Sequence, residues 1–217
     1  MNTPTHVLIN WTVAKALSAR FKRQESVGID GQPDGSASAA DDFAEGTGPA
    51  QAVGPMPTSA VLLGAIAPDL PLYFLSFGGA AWFHWGQGMS LADTGSWMFG
   101  NLFYNDPWWI TLHNSLHSPL VSLVALGLLF WRYGSSGIRG SWWAWFFGSC
   151  LLHTMVDIPV HHDDGPLVFW PLNWQYRFAS PLSYWDSNHH AGWMVPLEAV
   201  LALALGVRIV IQWWRNR

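Results

Sequence analysis

Asp157 stands four residues after His153 and four before His161, in a run otherwise made of Thr, Met, Val, Ile and Pro. On a helix the 3.6-residue period stacks His153 and Asp157 on one face. An imidazole and a carboxylate offered together are donors suited to zinc and similar divalent ions. The same pair also reads as a His–Asp hydrogen bond that satisfies both groups at a helix end. His113 and His117 repeat the spacing just before Pro119, and they read either as ligands or as interfacial imidazoles bonded to loop carbonyls. Asp69, in Pro68-Asp69-Leu70-Pro71, is an acid inside an apolar segment. It is either a ligand, intramembrane acids being functional by default, or the cap of a restarting helix. Burying such groups unpaired costs on the order of several kcal/mol, so each needs a partner, a metal or a use.

Two further runs are dense in ligand-type groups: His161-His162-Asp163-Asp164-Gly165 and Asp186-Ser187-Asn188-His189-His190. They could complete a second metal site or bind a phosphate-bearing head group, with His161 as a candidate ligand and an unligated acid, Asp164 or Asp186, as a base. A solvated loop with Asx-type turns and a helix cap is the other reading. Arg177 is the only basic residue between Arg139 and Arg208 and could pair an anionic substrate or a loop carboxylate. There is no Gly-rich phosphate loop, no G-x-S-x-G and no H-E-x-x-H. Cys150 lies mid-way in an apolar run, which gives nucleophilic catalysis no support.

The elements that must position these groups are apolar. Half of the 217 residues are hydrophobic and 11% are charged, against about 25% charged in soluble domains. Sixteen Trp, several paired at the edges of apolar runs (Trp108-Trp109, Trp142-Trp143, Trp213-Trp214), suit a membrane–water boundary. A net charge of −4 without a basic patch argues against nucleic acid. A single Cys excludes an internal disulfide framework and a Cys-based zinc cluster. The N-terminus shows no basic-then-apolar signal pattern, so insertion is expected from internal segments.

Residues 5–20 read as a short helix capped by Thr5 and closed by Lys15, Arg20, Lys22 and Arg23. Residues 24–57 hold six acids and no base among Gly, Ala, Ser and Pro, and read as a disordered insert. Apolar segments follow at 59–77, 118–131, 141–160 and 193–214, with an aromatic, re-entrant or extramembrane stretch at 78–112. The expected fold is all-α: one domain over 1–217, a multi-pass membrane bundle of about four to five helices, with irregular polar loops over one end. Placing the Arg-bearing loops and termini inside gives four crossings and lets the His and Asp candidates converge on the outer face.

Together these elements resemble the membrane-bound metal-dependent hydrolase family, the inner-membrane hydrolases of LexA-associated type. The family pattern is an N-terminal His, a Pro-Asp in an apolar segment, an H-x-x-x-H-S element, an H-x-x-x-D helix and a following Trp-Pro-Leu. Here these are His6, Pro68-Asp69, His113 to His117-Ser118, His153 to Asp157, and Trp170-Pro171-Leu172. The runs His161 to Asp164 and Ser180 to Asp186 before His189-His190 are similar to a bacterial subgroup sometimes labelled cobalamin biosynthesis, a label no residue here supports. The chain departs from the family where a second acid is replaced by Leu70-Pro71 and an Arg-Gly by Asn114-Ser115.

The resemblance implies a divalent-metal-dependent hydrolase at the outer face of a bacterial inner membrane. It adds His6 to the candidate ligands Asp69, His113, His117, His153, Asp157 and His161. Zinc is the ion their chemistry favours. Metal-activated water would attack a phosphoester or lipid-linked substrate, with Asp164 or Asp186 as base and Arg177 steadying the anion. Membrane lipid is the expected partner. The alternative is a non-catalytic integral membrane protein whose His/Asp cluster is structural or only binds metal. A metal transporter ranks last, because the 118–131 and 193–207 runs carry almost no polar groups.

Overall fold

The computed structural model describes residues 2–30 and 56–215, with the backbone alone for 24–30. Among the described residues the chain is helical, with no strand and one isolated bridge between Leu167 and Arg177. Helix α1 spans Thr3–Asp30, well past the expected 5–20. The first residues of the expected insert are therefore helical. Gln24 and Glu25 are good helix formers, and each added residue continues an existing ladder without a new nucleus. The remainder of that expectation, 31–55, lies outside the described residues.

Helices α2 (Thr58–Ile66) and α3 (Leu70–Ala80) meet at the Pro68–Pro71 break and bend by 44°. Neither proline can donate to the ladder, and a ring in a helix interior clashes with the preceding turn. After a wide turn at 81–86 come the short helices α4 (Leu91–Trp97) and α5 (Phe103–Asn105). Thus much of the 78–112 stretch is helical. Asp106 caps α6 (Pro107–His117) through the N–H groups of Trp108 and Trp109. Ser118 is extended because Pro119 follows it, and α7 (Pro119–Gly140) starts there in a new direction. Gly134 interrupts α7 at φ +65°, ψ −176°, a conformation only glycine adopts readily.

Helix α8 (Trp142–Asp157) is the centre of the molecule and packs against α1, α2, α6 and α7. Its approach to α2 is close: a Cβ on Gly64 would collide with the Phe146 carbonyl and lie 2.7 Å from Ser149 Cβ. A polar clamp ties three helices at this crossing. Asn10 Nδ2 donates to Ser149 O and Oγ, and Ser149 Oγ donates to the Val61 carbonyl at 2.7 Å. Helix α9 (Ala191–Arg215) follows the irregular 161–190 segment. Glu198, buried in its first half, accepts the Asn2 backbone N–H at 2.7 Å and so anchors the start of α1.

Two described helices, α7 and α9, are long and apolar enough to cross a membrane, or three spans if the bent α2–α3 pair counts as one. Only 6% of either long apolar window is buried in protein, so these faces are turned outward, as lipid-facing surfaces are. The expected crossing at 141–160 corresponds to α8. With 16 residues it is about 24 Å long, short of a hydrocarbon core of about 30 Å.

Candidate metal centre

Four side chains from three places in the fold converge where α8 ends: Asp69, His117, His153 and Asp157. Their candidate ligand atoms all lie within 4.8 Å of one another, and this group could hold a metal ion. The α2–α3 break supplies Asp69, the last turn of α6 supplies His117, and α8 supplies the i, i+4 pair.

Hydrogen bonds on the outer atoms orient each donor. His153 Nδ1 lies 2.8 Å from the Ala65 carbonyl, which can only accept, so Nδ1 carries the proton. The other nitrogen, Nε2, faces Asp69 Oδ1 at 3.3 Å and Asp157 Oδ2 at 3.4 Å. Nε2 is buried and has no hydrogen-bond partner among the described residues. One nitrogen fixed on a backbone carbonyl with the other turned to two carboxylates is an arrangement also found in metal-binding histidines.

Each carboxylate keeps one oxygen towards His153 and has the other held. Thr3 Oγ1 donates to Asp69 Oδ2 at 2.6 Å and touches Tyr73 Oη at 2.7 Å. His6 Nε2 contacts Asp157 Oδ1 at 2.9 Å, and its ring stacks on His153 at 3.7 Å. His117 Nε2 lies 3.0 Å from Asp157 Oδ2. Asp69 sits at the cap position of α3 but makes no cap hydrogen bond, so the capping reading does not describe it.

No family model matches the chain, and no curated protein or solved structure matches it either. The geometry must therefore carry the interpretation.

The remaining candidates divide by position. His6 is fully buried and braces Asp157, rather than joining the four converging donors. His161 approaches the same Asp157 Oδ1 at 3.7 Å from outside that group. His113 packs edge-on to His117, with ring centroids 4.8 Å apart, and lines an adjoining cavity of about 880 Å³. Asp164 and Asp186 also line that cavity, each beside an imidazole: His161 at 3.0 Å and His189 at 2.7 Å. Burial would raise the Asp164 carboxyl, but the neighbouring His161 outweighs it and holds the pKa below the usual range.

Arg177 is placed differently from the expectation. Its guanidinium lies over the Phe103 and Tyr104 rings, and Nη1 donates to the Gly165 carbonyl. It is outside the cavity lining, so it braces the loop rather than reaching a bound anion. Burial lowers its pKa.

Apart from His6, the bracing residues have no sequence signature. Thr3 carries no motif, and Asn114 holds the 161–190 segment by accepting the Leu167 N–H at 2.9 Å. Being buried amid apolar neighbours was the one signal available for Asn10 and Asn114.

Proposed function

We propose that the protein is a divalent-metal-dependent hydrolase working at a membrane surface on a phosphoester or lipid-linked substrate. The observation that carries this reading is the buried His153 Nε2, oriented by Ala65 and facing two carboxylates without a hydrogen bond. Zinc is favoured by the two imidazoles and two carboxylates. Such an ion supplies Lewis acidity and an acidified water when bound. The chain's own residues do the rest. Thr3 and His6 keep Asp69 and Asp157 aimed inward, and the cavity admits substrate beside His117. Asp164 and Asp186, the cavity carboxylates with imidazole partners, are placed to take up a proton. The site belongs to the outer face of a bacterial inner membrane, in keeping with the positive-inside placement of the arginines and with the family resemblance.

The non-catalytic reading has one observation in its favour: His6 and His117 already contact both Asp157 oxygens at 2.9 and 3.0 Å. Elemental mass spectrometry separates the two. Detergent-purified wild type should carry near-stoichiometric zinc or manganese, lost in His153→Ala/Asp157→Ala, and should hydrolyse members of a phosphoester panel. No metal in either protein, with thermal stability unchanged by added ions, would leave a structural cluster.

A further inference from the structure

The cavity beside the metal centre has two chemically distinct ends. Its deep end holds Asp69, His117 and Asp157 together with His113, which is 3% exposed. His113 makes no side-chain hydrogen bond to any described residue, and its Nδ1 is buried without a partner. A buried imidazole left in this state costs stability unless a ligand completes it. The outer end is lined by three more carboxylates, Asp163, Asp164 and Asp186, by the His161 imidazole beside Asp164, and by the exposed rings of Tyr73 and Trp185. Neither Lys nor Arg lines the cavity among the described residues. Arg177, engaged by Phe103, Tyr104 and the Gly165 carbonyl, stands behind the lining and offsets part of the charge of Asp163 and Asp164.

A simple anion entering here meets carboxylates before it reaches the metal end, and like charge in a walled cleft repels it. A neutral molecule adds nothing to the partial compensation that Arg177 gives Asp163 and Asp164 and that the imidazoles of His161 and His189 give Asp164 and Asp186. A cation tethered to a phosphate meets both demands. Its ammonium lies between the outer acids and over the aromatic faces, while its phosphoryl oxygens reach His113 and the metal end. We propose that the site takes a phosphoester bearing an ammonium group, a zwitterionic headgroup of the phosphocholine or phosphoethanolamine type. The phosphoryl end of this assignment rests on the metal reading above; the ammonium end rests on the outer lining alone.

Calorimetric titration of the full chain in detergent tests the two ends separately. Choline should bind roughly tenfold or more tightly than dimethylbutanol, its neutral carbon isostere. Phosphocholine should exceed glycerol phosphate by a similar factor. Asp163→Asn/Asp186→Asn should erase both preferences while metal content stays unchanged. Trp185→Leu, at an exposed position, should weaken choline without affecting folding. Choline binding no better than its isostere, or glycerol phosphate binding as well as phosphocholine, overturns the proposal. A wild type without metal would end the hydrolase reading and leave the choline comparison decisive. Phosphatidylcholine in nanodiscs that competes with free phosphocholine assigns a lipid headgroup; a lipid that does not compete assigns a soluble phosphoester.

Discussion

His153 shows how one hydrogen bond sets the chemistry of a side chain. The Ala65 carbonyl fixes the proton on Nδ1, and the other nitrogen is then available to a cation. Thr3 does the equivalent for Asp69 by occupying Oδ2. Thr3→Val should therefore weaken metal affinity about 10–100-fold without removing any ligand, as read by competition with a chromophoric chelator. His6→Phe should act in the same direction through Asp157, because its stack on His153 survives and its contact to Oδ1 does not. A pH dependence belongs to Asp186, outside the spans. Hydrogen bonds from His189 and the Asn188 N–H hold its carboxyl below the usual value of about 3.8. A depressed folded pKa stabilises above the unfolded value and is lost as pH falls through the folded one. The melting difference between wild type and Asp186→Asn should thus be open at about pH 5 and close below about pH 4. His153, Asp157, His117 and Asp69 were legible as candidates from residue type and spacing. Thr3 was not, because a threonine near a helix start has no distinctive pattern.

The α2–α8 crossing decides whether the ligands meet at all. Gly64 lets the two backbones approach, and the Asn10–Ser149–Val61 clamp ties α1 to the same point. One helical turn further along lie Ala65, which orients His153, and His153 itself. Gly64→Ala should destabilise by about 1–3 kcal/mol and reduce bound metal, whereas Gly127→Ala, where a Cβ meets nothing within 4 Å, should do neither. Ser149→Ala should cost about 1–3 kcal/mol by leaving Asn10 and the Val61 carbonyl short of partners. Denaturant melts with parallel metal analysis check both. Helix positions were readable from apolar runs, and Pro68, Pro71 and Pro119 marked their breaks. The extension of α1 to Asp30 was not, because a Gly- and Asp-rich composition outweighed the local helix formers Gln24 and Glu25.

At the scale of the whole molecule, α7 and α9 are long and apolar enough to cross a membrane and turn their apolar faces outward, consistent with a membrane protein. With the site outward, a cysteine at Asn188 in a Cys150→Ser background should react with an impermeant maleimide added to intact cells. A cysteine at Ser136, in the arginine-flanked part of α7, should react only after permeabilisation. The reverse pattern would place the site inside. Composition and periodicity by themselves determined the all-helical class and the residue types able to bind metal, because each is a local property of the chain; of the four expected crossings, 118–131 and 193–214 lie in the two helices long and apolar enough to span. Only the tertiary structure decided which of the seven candidate ligands converge, that Asp69 is held by Thr3 rather than acting as a cap, and that Arg177 braces a loop. Those outcomes depend on contacts between residues up to 151 positions apart, as for His6 and Asp157, and no local pattern encodes which pair will meet.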